Sequence, residues 1–244
     1  LFMCIIYWCI DFKAGMYMFC VHSFMLIFAQ IFKMGACVYR PWVLSDKIHP
    51  CAKAMARAGG YSFPSGHCMM ASSIWGAAAY AFRRKKLLCG LFIFIVLIVA
   101  FSRVYLGVHT PQDVLAGIFT ALILVFVVAK LVDWCEKDIN RYLYVLGFAN
   151  VFAILVLVFV LTKNYPIDYF NGKLLANPQK AISISVMYVG WLLGMINGVL
   201  LCRRFFPFNP KEGTLVAKIL RALIGVITCC CLFEVIESFI FTNI

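Results

Sequence analysis

Residues 87–101 read LLCGLFIFIVLIVAF, a run without a charged side chain. About 20 such residues in a helix cross the hydrocarbon core of a bilayer, because a helix advances ~1.5 Å per residue. Apolar runs of similar character recur along the whole chain, separated by short polar stretches. The sequence therefore predicts an all-α fold, a polytopic transmembrane helical bundle.

The composition supports this fold class and excludes others. Of the 244 residues, 64% are hydrophobic and only 13% are charged, whereas charged residues make up about a quarter of a soluble protein. Abundant Phe, Ile, Leu and Val exclude a disordered chain, because these residues would not stay unpacked in water. The 12 cysteines fall mostly within apolar runs and show no metal-ligand spacing, so we interpret most of them as small hydrophobic residues.

Seven apolar segments approach the length of a membrane span. They cover residues 15–32, 65–82, 87–101, 111–132, 142–161, 181–202 and 215–241. An apolar piece at residues 1–10 precedes them and is too short to span, so we expect further sequence before Leu1. We therefore predict about seven spans plus an N-terminal helix fragment.

The positions of the basic residues behind the net charge of +12 indicate how the spans are oriented and what kind of ligand the protein binds. Basic residues cluster at the ends of apolar runs, as in residues 83–86 and 203–204, which is typical of cytoplasmic loops. No extended basic tail is present, so we expect no nucleic-acid partner. If residues 83–86 are cytoplasmic, alternation of the spans places residues 33–64 and 102–110 together on the opposite face. Basic residues persist there, which indicates an anionic ligand.

Three short motifs lie on that opposite face. Motif 1 is Lys33-x6-Arg40-Pro41, motif 2 is Pro64-Ser65-Gly66-His67, and motif 3 is Ser102-Arg103-x5-His109-x3-Asp113. In motif 1, Lys33 and Arg40 are about two helical turns apart, so both cations project from one face if the helix continues to Pro41. Such a pair can grip one anion. The alternative is two cations that snorkel to the membrane interface.

Motif 2 places a histidine at a predicted helix start. Pro64 suits the first helical position, which leaves the amides of Ser65, Gly66 and His67 without intrahelical acceptors. Free amides at the positive end of a helix dipole bind phosphate, and Gly66 lets the backbone approach the ligand closely. An ordinary helix that begins with proline is the alternative.

Motif 3 combines an arginine, a histidine and a carboxylate. The planar guanidinium of Arg103 matches the oxygens of a phosphate. Residues 110–113 read Thr-Pro-Gln-Asp, which predicts a helix N-cap with Asp113 as its capping-box acid. Asp113 can also reach His109 and hold one ring nitrogen protonated, leaving the other free to attack phosphorus. The two roles of Asp113 are compatible.

Together the three motifs resemble the signature of the type 2 phosphatidic acid phosphatase superfamily, membrane lipid phosphatases that share their site with vanadium haloperoxidases. The resemblance covers residues 33–113 and shows no departure at any signature position. It implies that His109 is a nucleophile that forms a phosphohistidine, that Asp113 orients it, and that His67 is the general acid. It implies that the phosphoryl oxygens are bound by Lys33, Arg40, Ser65, the Gly66 amide and Arg103.

This resemblance implies a membrane enzyme that works without a cofactor. We expect a phosphatase that hydrolyses a lipid phosphate or diphosphate monoester without metal, since no carboxylate cluster is present to hold Mg²⁺. We place it in a bacterial cytoplasmic membrane with the active site on the extracytoplasmic face. Two alternatives stay open: a lipid phosphotransferase with the same site, and a non-catalytic membrane transporter or scaffold with an anion site. We divide the chain into a catalytic transmembrane core over residues 1–133, N-terminally incomplete, and additional C-terminal transmembrane helices over residues 134–244.

Between motifs 1 and 2, a proline at 50 and glycines at 59 and 60 bracket a predicted short helix over residues 51–58. Lys53 and Arg57 are four residues apart and would share a face. We predict an interfacial lid whose cations contact the substrate headgroup. A solvated loop helix is the alternative.

The remaining ionisable residues outside the motifs receive structural interpretations. Glu234 and Glu237 fall within the last apolar run and should face protein, water or a cation. We expect the C-terminal spans to serve packing or assembly as a homo-oligomer, with substrate selection as the alternative. His22 and His49 match no motif position and are interpreted as a span residue and a loop residue.

Overall fold

Helices account for nearly all of the secondary structure. The structure is a computed structural model that describes residues 1–170, 172–206 and 208–243, except for the side chains of residues 57, 170, 173, 233, 236, 237 and 239–243. The first helices are α1 (Phe2–Ile5), which continues into a π-helical turn (Ile6–Ile10), α2 (Phe12–Ala36), α3 (Pro41–Leu44) and α4 (Ala52–Arg57). The others are α5 (Gly66–Ala71), which continues through a π-helical turn (Ser72–Gly76) into α6 (Ala77–Ala81), α7 (Lys86–Tyr105), α8 (Pro111–Cys135), α9 (Arg141–Thr162), α10 (Pro178–Phe205) and α11 (Leu215–Asn243). The short strands β1 (Tyr169–Phe170) and β2 (Lys173–Leu174) pair antiparallel between α9 and α10.

Six segments of the described chain are long and apolar enough to cross a membrane. They are Phe12–Leu44, Lys86–Tyr105, Pro111–Cys135, Arg141–Thr162, Pro178–Phe205 and Leu215–Leu232. The predicted all-α membrane bundle is therefore confirmed. The segment predicted at residues 65–82 is a shorter helical stretch, Gly66–Ala81, with the second π-helical turn at its centre.

Local sequence signals set the helix ends that border the motifs. The Thr110 hydroxyl accepts a hydrogen bond from the Asp113 amide, and the Asp113 carboxylate accepts one from the Thr110 amide, so the predicted capping box is confirmed. α2 ends at Ala36, because Cys37 adopts a left-handed conformation (φ 50°) and donates its amide to the Lys33 carbonyl. The condition under which Lys33 and Arg40 would share one helix face is therefore not met, and Arg40 lies on extended backbone beyond the helix.

α2 forms the centre of the bundle. Met16, Met18, Met25 and Ile27 on this helix are fully buried, and α2 packs against α5, α8 and α10. α7, in contrast, exposes most of its side chains, as expected for a helix that faces lipid. The motifs are therefore carried by the ends of well-packed helices rather than by free loops.

A close approach between α5 and α8 joins motif 2 to motif 3. A Cβ atom added to Gly117 would lie 3.1 Å from Met69 Cγ and 3.2 Å from the Ser65 carbonyl oxygen. Only a glycine lets the two helices come this close without a shift. The Ser65 amide also donates to the Asp113 carbonyl oxygen over 3.0 Å.

The basic connections that alternation of the spans predicted on one face lie together at one end of the bundle. At one end, Lys13 pairs with Asp133 at 2.8 Å, and these residues line a polar cavity of about 210 Å³ together with Arg83. At the same end Arg203 pairs with Glu136, the residue that follows α8. The connections at residues 83–86, 133–141 and 203–204 therefore share one face, and the three motifs lie at the other.

Candidate active site

Arg40 joins motif 1 to motif 3. Its side chain is buried, with 8% of its surface exposed. Nη1 donates to the Val108 carbonyl at 3.0 Å and lies 2.9 Å from Nε2 of His109. Nε and Nη2 donate to the carbonyls of Gly60 and Gly59, at 3.1 and 3.0 Å. These four bonds fix a guanidinium directly in front of the histidine ring.

His109 and Asp113 form a buried pair, 5% and 2% exposed. Nδ1 of His109 lies 3.3 Å from Oδ2 of Asp113. A guanidinium has no acceptor atom, so Arg40 must donate to Nε2, and Nδ1 therefore carries the proton. The Thr110 amide donates to the same Oδ2 at 2.9 Å, so Asp113 serves the capping box and the histidine together, as its two predicted roles require.

Ser62 is a site residue to which sequence reasoning assigned no role. Its hydroxyl donates to Oδ2 of Asp113 over 2.6 Å and lies 3.3 Å from Nδ1 of His109, and the residue is 1% exposed. Its amide donates to the Val38 carbonyl at 2.7 Å. The sequence feature that could have pointed to Ser62 is a hydroxyl close to motif 2. The spacing along the sequence could not show that residues 62 and 113 meet.

Lys33 lies in the last turn of α2 and reaches motif 2. Its Nζ donates to the Tyr61 carbonyl at 2.8 Å, and its Cε lies 3.6 Å from the position that a Cβ would take on Gly66. Lys33 and Arg40 thus converge although they do not share a helix face. The extended backbone after Cys37 turns Arg40 back toward the bundle.

Motif 2 is built differently from the prediction. Ser65, not Pro64, precedes the first helical residue, so the expected first position for Pro64 is wrong. The amide of Ser65 is taken by Asp113, whereas Gly66 and His67 hold the first two helical positions, where amides lack intrahelical acceptors. The Ser65 hydroxyl is buried and has no hydrogen-bond partner among the described residues.

His67 and Arg103 complete the group of motif residues. His67 is exposed, and the charges of Arg103, Arg40 and Lys33 all act on it. Arg103 is half-buried in the last turn of α7, where its Nε donates to the Ser102 hydroxyl at 3.2 Å. The structure therefore gathers three cations and two histidines, a set suited to a phosphate group.

The environment of His109 keeps its imidazole neutral. Burial lowers the pKa of His109 to about 4, and the charges of Arg40 and Lys33 act in the same direction against the hydrogen bond to Asp113. His109 lies in the connection between α7 and α8, outside both spans. At neutral pH it presents Nε2 as an unprotonated nitrogen, which is the form that a nucleophile requires.

The predicted lid helix is present as α4, next to motif 3. The Cys51 amide donates to the Leu106 carbonyl at 3.1 Å, and a Cβ on Gly107 would lie 3.1 Å from Cα of Pro50. Gly107 has a φ of +68°, so this turn needs a glycine on both grounds. Lys53 is exposed on α4, and the side chain of Arg57 lies outside the described part of the chain. Contact of either cation with a headgroup stays a prediction.

The other ionisable residues singled out from the sequence belong to none of the three motifs. Nδ1 of His22 is 2.8 Å from the Ser73 hydroxyl inside the bundle, in keeping with a span residue. His49 lies in the loop before α4, where its carbonyl contacts the Gly107 turn. Glu234 is exposed on α11, and the side chain of Glu237 falls outside the described residues.

Comparisons with known proteins identify the family. The model of the PAP2 superfamily matches residues 14–137, and that of the PAP2 superfamily phosphatase, transmembrane extension, matches residues 186–243. Phosphatidylglycerophosphatase B of Bacillus subtilis (strain 168) is 33% identical over 113 residues, 43% of this chain and 53% of that protein. Undecaprenyl-diphosphatase of Sulfolobus acidocaldarius is 32% identical over 92 residues, 38% and 42% of the two chains.

A third relative carries a different name. Glucose-6-phosphatase catalytic subunit 1 of Haplochromis xenognathus is 32% identical over 124 residues, 45% of this chain and 44% of that protein. The chain thus spans about half the length of these relatives, and no solved structure matches it significantly. The first family model alone covers half of the sequence and contains all three motifs, so the chain belongs to the PAP2 superfamily.

Proposed function

We propose that this protein is an integral membrane phosphatase that hydrolyses a lipid phosphate or diphosphate monoester through a phosphohistidine, without a metal ion. The observation that carries the proposal is the position of His109. Its Nδ1 faces Asp113 at 3.3 Å and its Nε2 faces the Arg40 guanidinium at 2.9 Å. A neutral nitrogen is thus aimed at a cation that can hold the group it attacks.

The reaction proceeds in two steps. Nε2 of His109 attacks phosphorus, the bond from phosphorus to the leaving oxygen breaks, and His67 gives that oxygen its proton. The Nδ1 proton stays on the ring, where Asp113 stabilises the positive charge that develops. In the second step His67 takes a proton from water, the water oxygen attacks phosphorus, and His109 is released with inorganic phosphate.

Cations replace a metal ion in this mechanism. Lys33, Arg40 and Arg103 surround the phosphoryl position, and the Gly66 amide and Ser65 hydroxyl supply further donors. Each donor directed at a developing oxyanion contributes on the order of 10²–10³ in rate. The carboxylate that the described site contains, Asp113, is already engaged by Ser62, Thr110 and His109, which leaves it poorly placed to bind Mg²⁺.

The membrane setting and two relatives favour a lipid substrate. Phosphatidylglycerophosphatase B and undecaprenyl-diphosphatase are both named for lipid phosphates. The described spans place the motifs at one end of the bundle, where a headgroup at the bilayer surface can reach them. The glucose-6-phosphatase relative makes a soluble sugar phosphate the natural comparison substrate.

The proposal includes orientation and organisation. The basic connections at residues 83–86 and 203–204 favour a cytoplasmic location for their end of the bundle, which puts the motifs on the extracytoplasmic face of a bacterial cytoplasmic membrane. Residues 1–133 form the catalytic core in this proposal, and residues 134–244 are additional transmembrane helices. Assembly of the C-terminal helices into a homo-oligomer remains part of the same proposal.

Phosphate release by the purified full chain tests this function. The panel contains phosphatidate, phosphatidylglycerol phosphate, undecaprenyl diphosphate and glucose 6-phosphate, each with EDTA and with vanadate as inhibitor. We expect EDTA-resistant, vanadate-sensitive release from a lipid phosphate and none from His109→Ala. Turnover that requires Mg²⁺ would contradict the metal-free site, and turnover retained in His109→Ala would contradict the nucleophile.

The same assay separates the alternatives. With an added acceptor alcohol, a phosphotransferase passes the phosphoryl group to the alcohol in preference to water. A transporter or scaffold binds vanadate without releasing phosphate from any substrate. We do not expect binding without turnover, because anion binding alone gives no reason to orient a histidine with a carboxylate. The ratio of transfer to phosphate release decides between a phosphotransferase and a phosphatase.

A further inference from the structure

The connection between α9 and α10 lies against the segment that carries motif 1. Lys163 directly follows α9, and its Nζ donates to the carbonyls of Met34 and Gly35 at 2.5 and 2.6 Å. The contact joins residues about half the chain apart. It lies at the same end of the bundle as the three motifs.

Lys163 acts on the C-terminus of α2. The last four carbonyls of a helix lack intrahelical donors, and the negative end of its dipole favours a cation there. The two acceptors, at residues 34 and 35, directly follow Lys33. Nζ of Lys163 also lies 5.8 and 5.9 Å from the ring centroids of Phe159 and Tyr165. These cation–π contacts add to the two hydrogen bonds that hold the ammonium group.

A second contact reaches the residue before Arg40. The Tyr39 hydroxyl donates to Oδ2 of Asp168 over 2.5 Å. The backbone of Asp168 is held in turn, because its carbonyl accepts a hydrogen bond of 2.9 Å from the amide of Leu175, which follows the strand pair. The piece of chain between Cys37 and Arg40 is thus tied to the C-terminal half of the chain through Tyr39.

The contacts made by Lys163 and Asp168 are connected to the site through Tyr61 and Ser62. The rings of Tyr39 and Tyr61 lie 6.0 Å apart, and the Tyr61 carbonyl is the acceptor of Lys33 Nζ. The next amide, that of Ser62, bonds to the Val38 carbonyl. A shift of residues 34–39 would therefore move both motif 1 cations and the serine that bonds to Asp113.

We propose that Lys163 and Asp168 are positioning residues, which hold Lys33 and Arg40 at the phosphoryl site from the C-terminal half of the chain. The inference rests on the proposed function for its catalytic consequence. It gives the α9–α10 connection a role in phosphoryl binding. This role goes beyond the packing or assembly that we expect of the C-terminal spans.

The test uses three variants of the full chain with matched controls. Lys163→Met removes the donor and keeps the length of the side chain, Lys163→Arg restores a donor, and Tyr39→Phe removes only the bond to Asp168. Lys137→Met and Tyr144→Phe are the controls, since both residues are exposed and neither side chain makes a hydrogen bond, ion pair or ring contact with the described residues. The measurements are kcat and KM for a lipid phosphate, orthovanadate binding at equilibrium, and the melting temperature.

We expect Lys163→Met and Tyr39→Phe to lower kcat/KM by about tenfold to a hundredfold, as misplacement of a binding group does, and to weaken orthovanadate binding in step. Lys163→Arg should stay close to the parent chain, and both controls should be unchanged. A fall in melting temperature with kcat/KM and orthovanadate binding intact in the folded protein would show a structural role only and overturn the inference.

The two proposals fail in different ways. If the parent chain releases no phosphate from any substrate, the proposed function fails, and orthovanadate binding by the same variants still tests the positioning role. If the parent chain turns over and both substitutions leave kcat/KM and orthovanadate binding unchanged, the positioning inference fails alone.

Discussion

Nη1 of Arg40 lies 2.9 Å from Nε2 of His109, so the guanidinium occupies the place in front of the ring nitrogen that attacks phosphorus in the proposed mechanism. A phosphoryl group that enters the site must replace this hydrogen bond by one between Arg40 and a phosphoryl oxygen. The guanidinium stays anchored by the carbonyls of Gly59, Gly60 and Val108 while this happens. In the proposed mechanism the same cation thus fixes the tautomer of His109 and then binds the phosphoryl group.

Replacement of Arg40 should show this double role. We expect Arg40→Lys to lower kcat by on the order of 10²–10³, because an ammonium group cannot reproduce the planar set of four hydrogen bonds. The measurement is steady-state phosphate release in detergent micelles. Lys47→Met, an exposed change on the following loop, is the control. Activity of Arg40→Lys within threefold of the parent would contradict this account.

Removal of the Ser62 hydroxyl should weaken catalysis without unfolding the protein. The hydroxyl donates to Asp113 at 2.6 Å, and loss of one bond to a charged group costs about 1.5–3 kcal/mol. If that bond orients the carboxylate toward His109, Ser62→Ala lowers kcat by roughly ten- to hundredfold. Ser72→Ala is a matched control, since the buried Ser72 hydroxyl has no hydrogen-bond partner among the described atoms. Equal effects of the two substitutions would argue against the assigned role.

The pH dependence should report the charge on His109. Its pKa is lowered to about 4, so the neutral nucleophile persists above that pH and is lost as pH falls through it. We expect the acid limb of kcat/KM to lie well below the ordinary histidine value of about 6.5, because this profile reports the free enzyme.

A charge deletion tests the origin of that limb. The Lys33 cation helps to lower the pKa of His109, so Lys33→Met should move the acid limb toward higher pH, whatever its effect on the maximal rate. Lys47→Met should leave the limb in place. A limb that stays fixed in Lys33→Met would assign the titration to a different group.

The close approach of α5 and α8 should be sensitive to a single methyl group. Gly117→Ala places a Cβ 3.1 Å from Met69 Cγ and 3.2 Å from the Ser65 carbonyl, so we expect a loss of about 1–3 kcal/mol in the free energy of unfolding. Gly147→Ala has no atom within 4 Å and lies inside α9, so it should stabilise by about 0.5–1 kcal/mol. Chemical denaturation in detergent measures both, and the same sign for both would contradict the packing argument.

The lid hypothesis has its own measurement. Replacement of Lys53 and Arg57 by Ala should raise the apparent KM for an anionic lipid phosphate and leave the KM for glucose 6-phosphate unchanged, because a small soluble substrate has no membrane-bound headgroup to guide. Unchanged lipid kinetics would remove the lid and leave α4 as a solvated helix.

Much of the site could be predicted because several of its residues are close together in the sequence. His109, Thr110 and Asp113 sit within one turn of a helix start, so the capping box and the histidine pair follow from local geometry. The sequence left the end of α2 open, because the left-handed conformation of Cys37 has no glycine to signal it. The start of α5 was predicted two residues too early, at Pro64 instead of Gly66, since a proline just before an N-cap and a proline at the first helical position look alike in sequence.

The hydrophobic runs, the basic residues at their ends and the three motifs determine a membrane bundle with a candidate phosphate site, because each depends on residue type and local spacing. Only the tertiary structure decided which distant groups meet: Ser62 with Asp113, Arg40 with the carbonyl of Val108, and Lys163 with the end of α2. These contacts depend on how helices pack across the bundle, and a glycine such as Gly117 sets that distance only in combination with its neighbours. Periodicity along one chain carries no record of such distances.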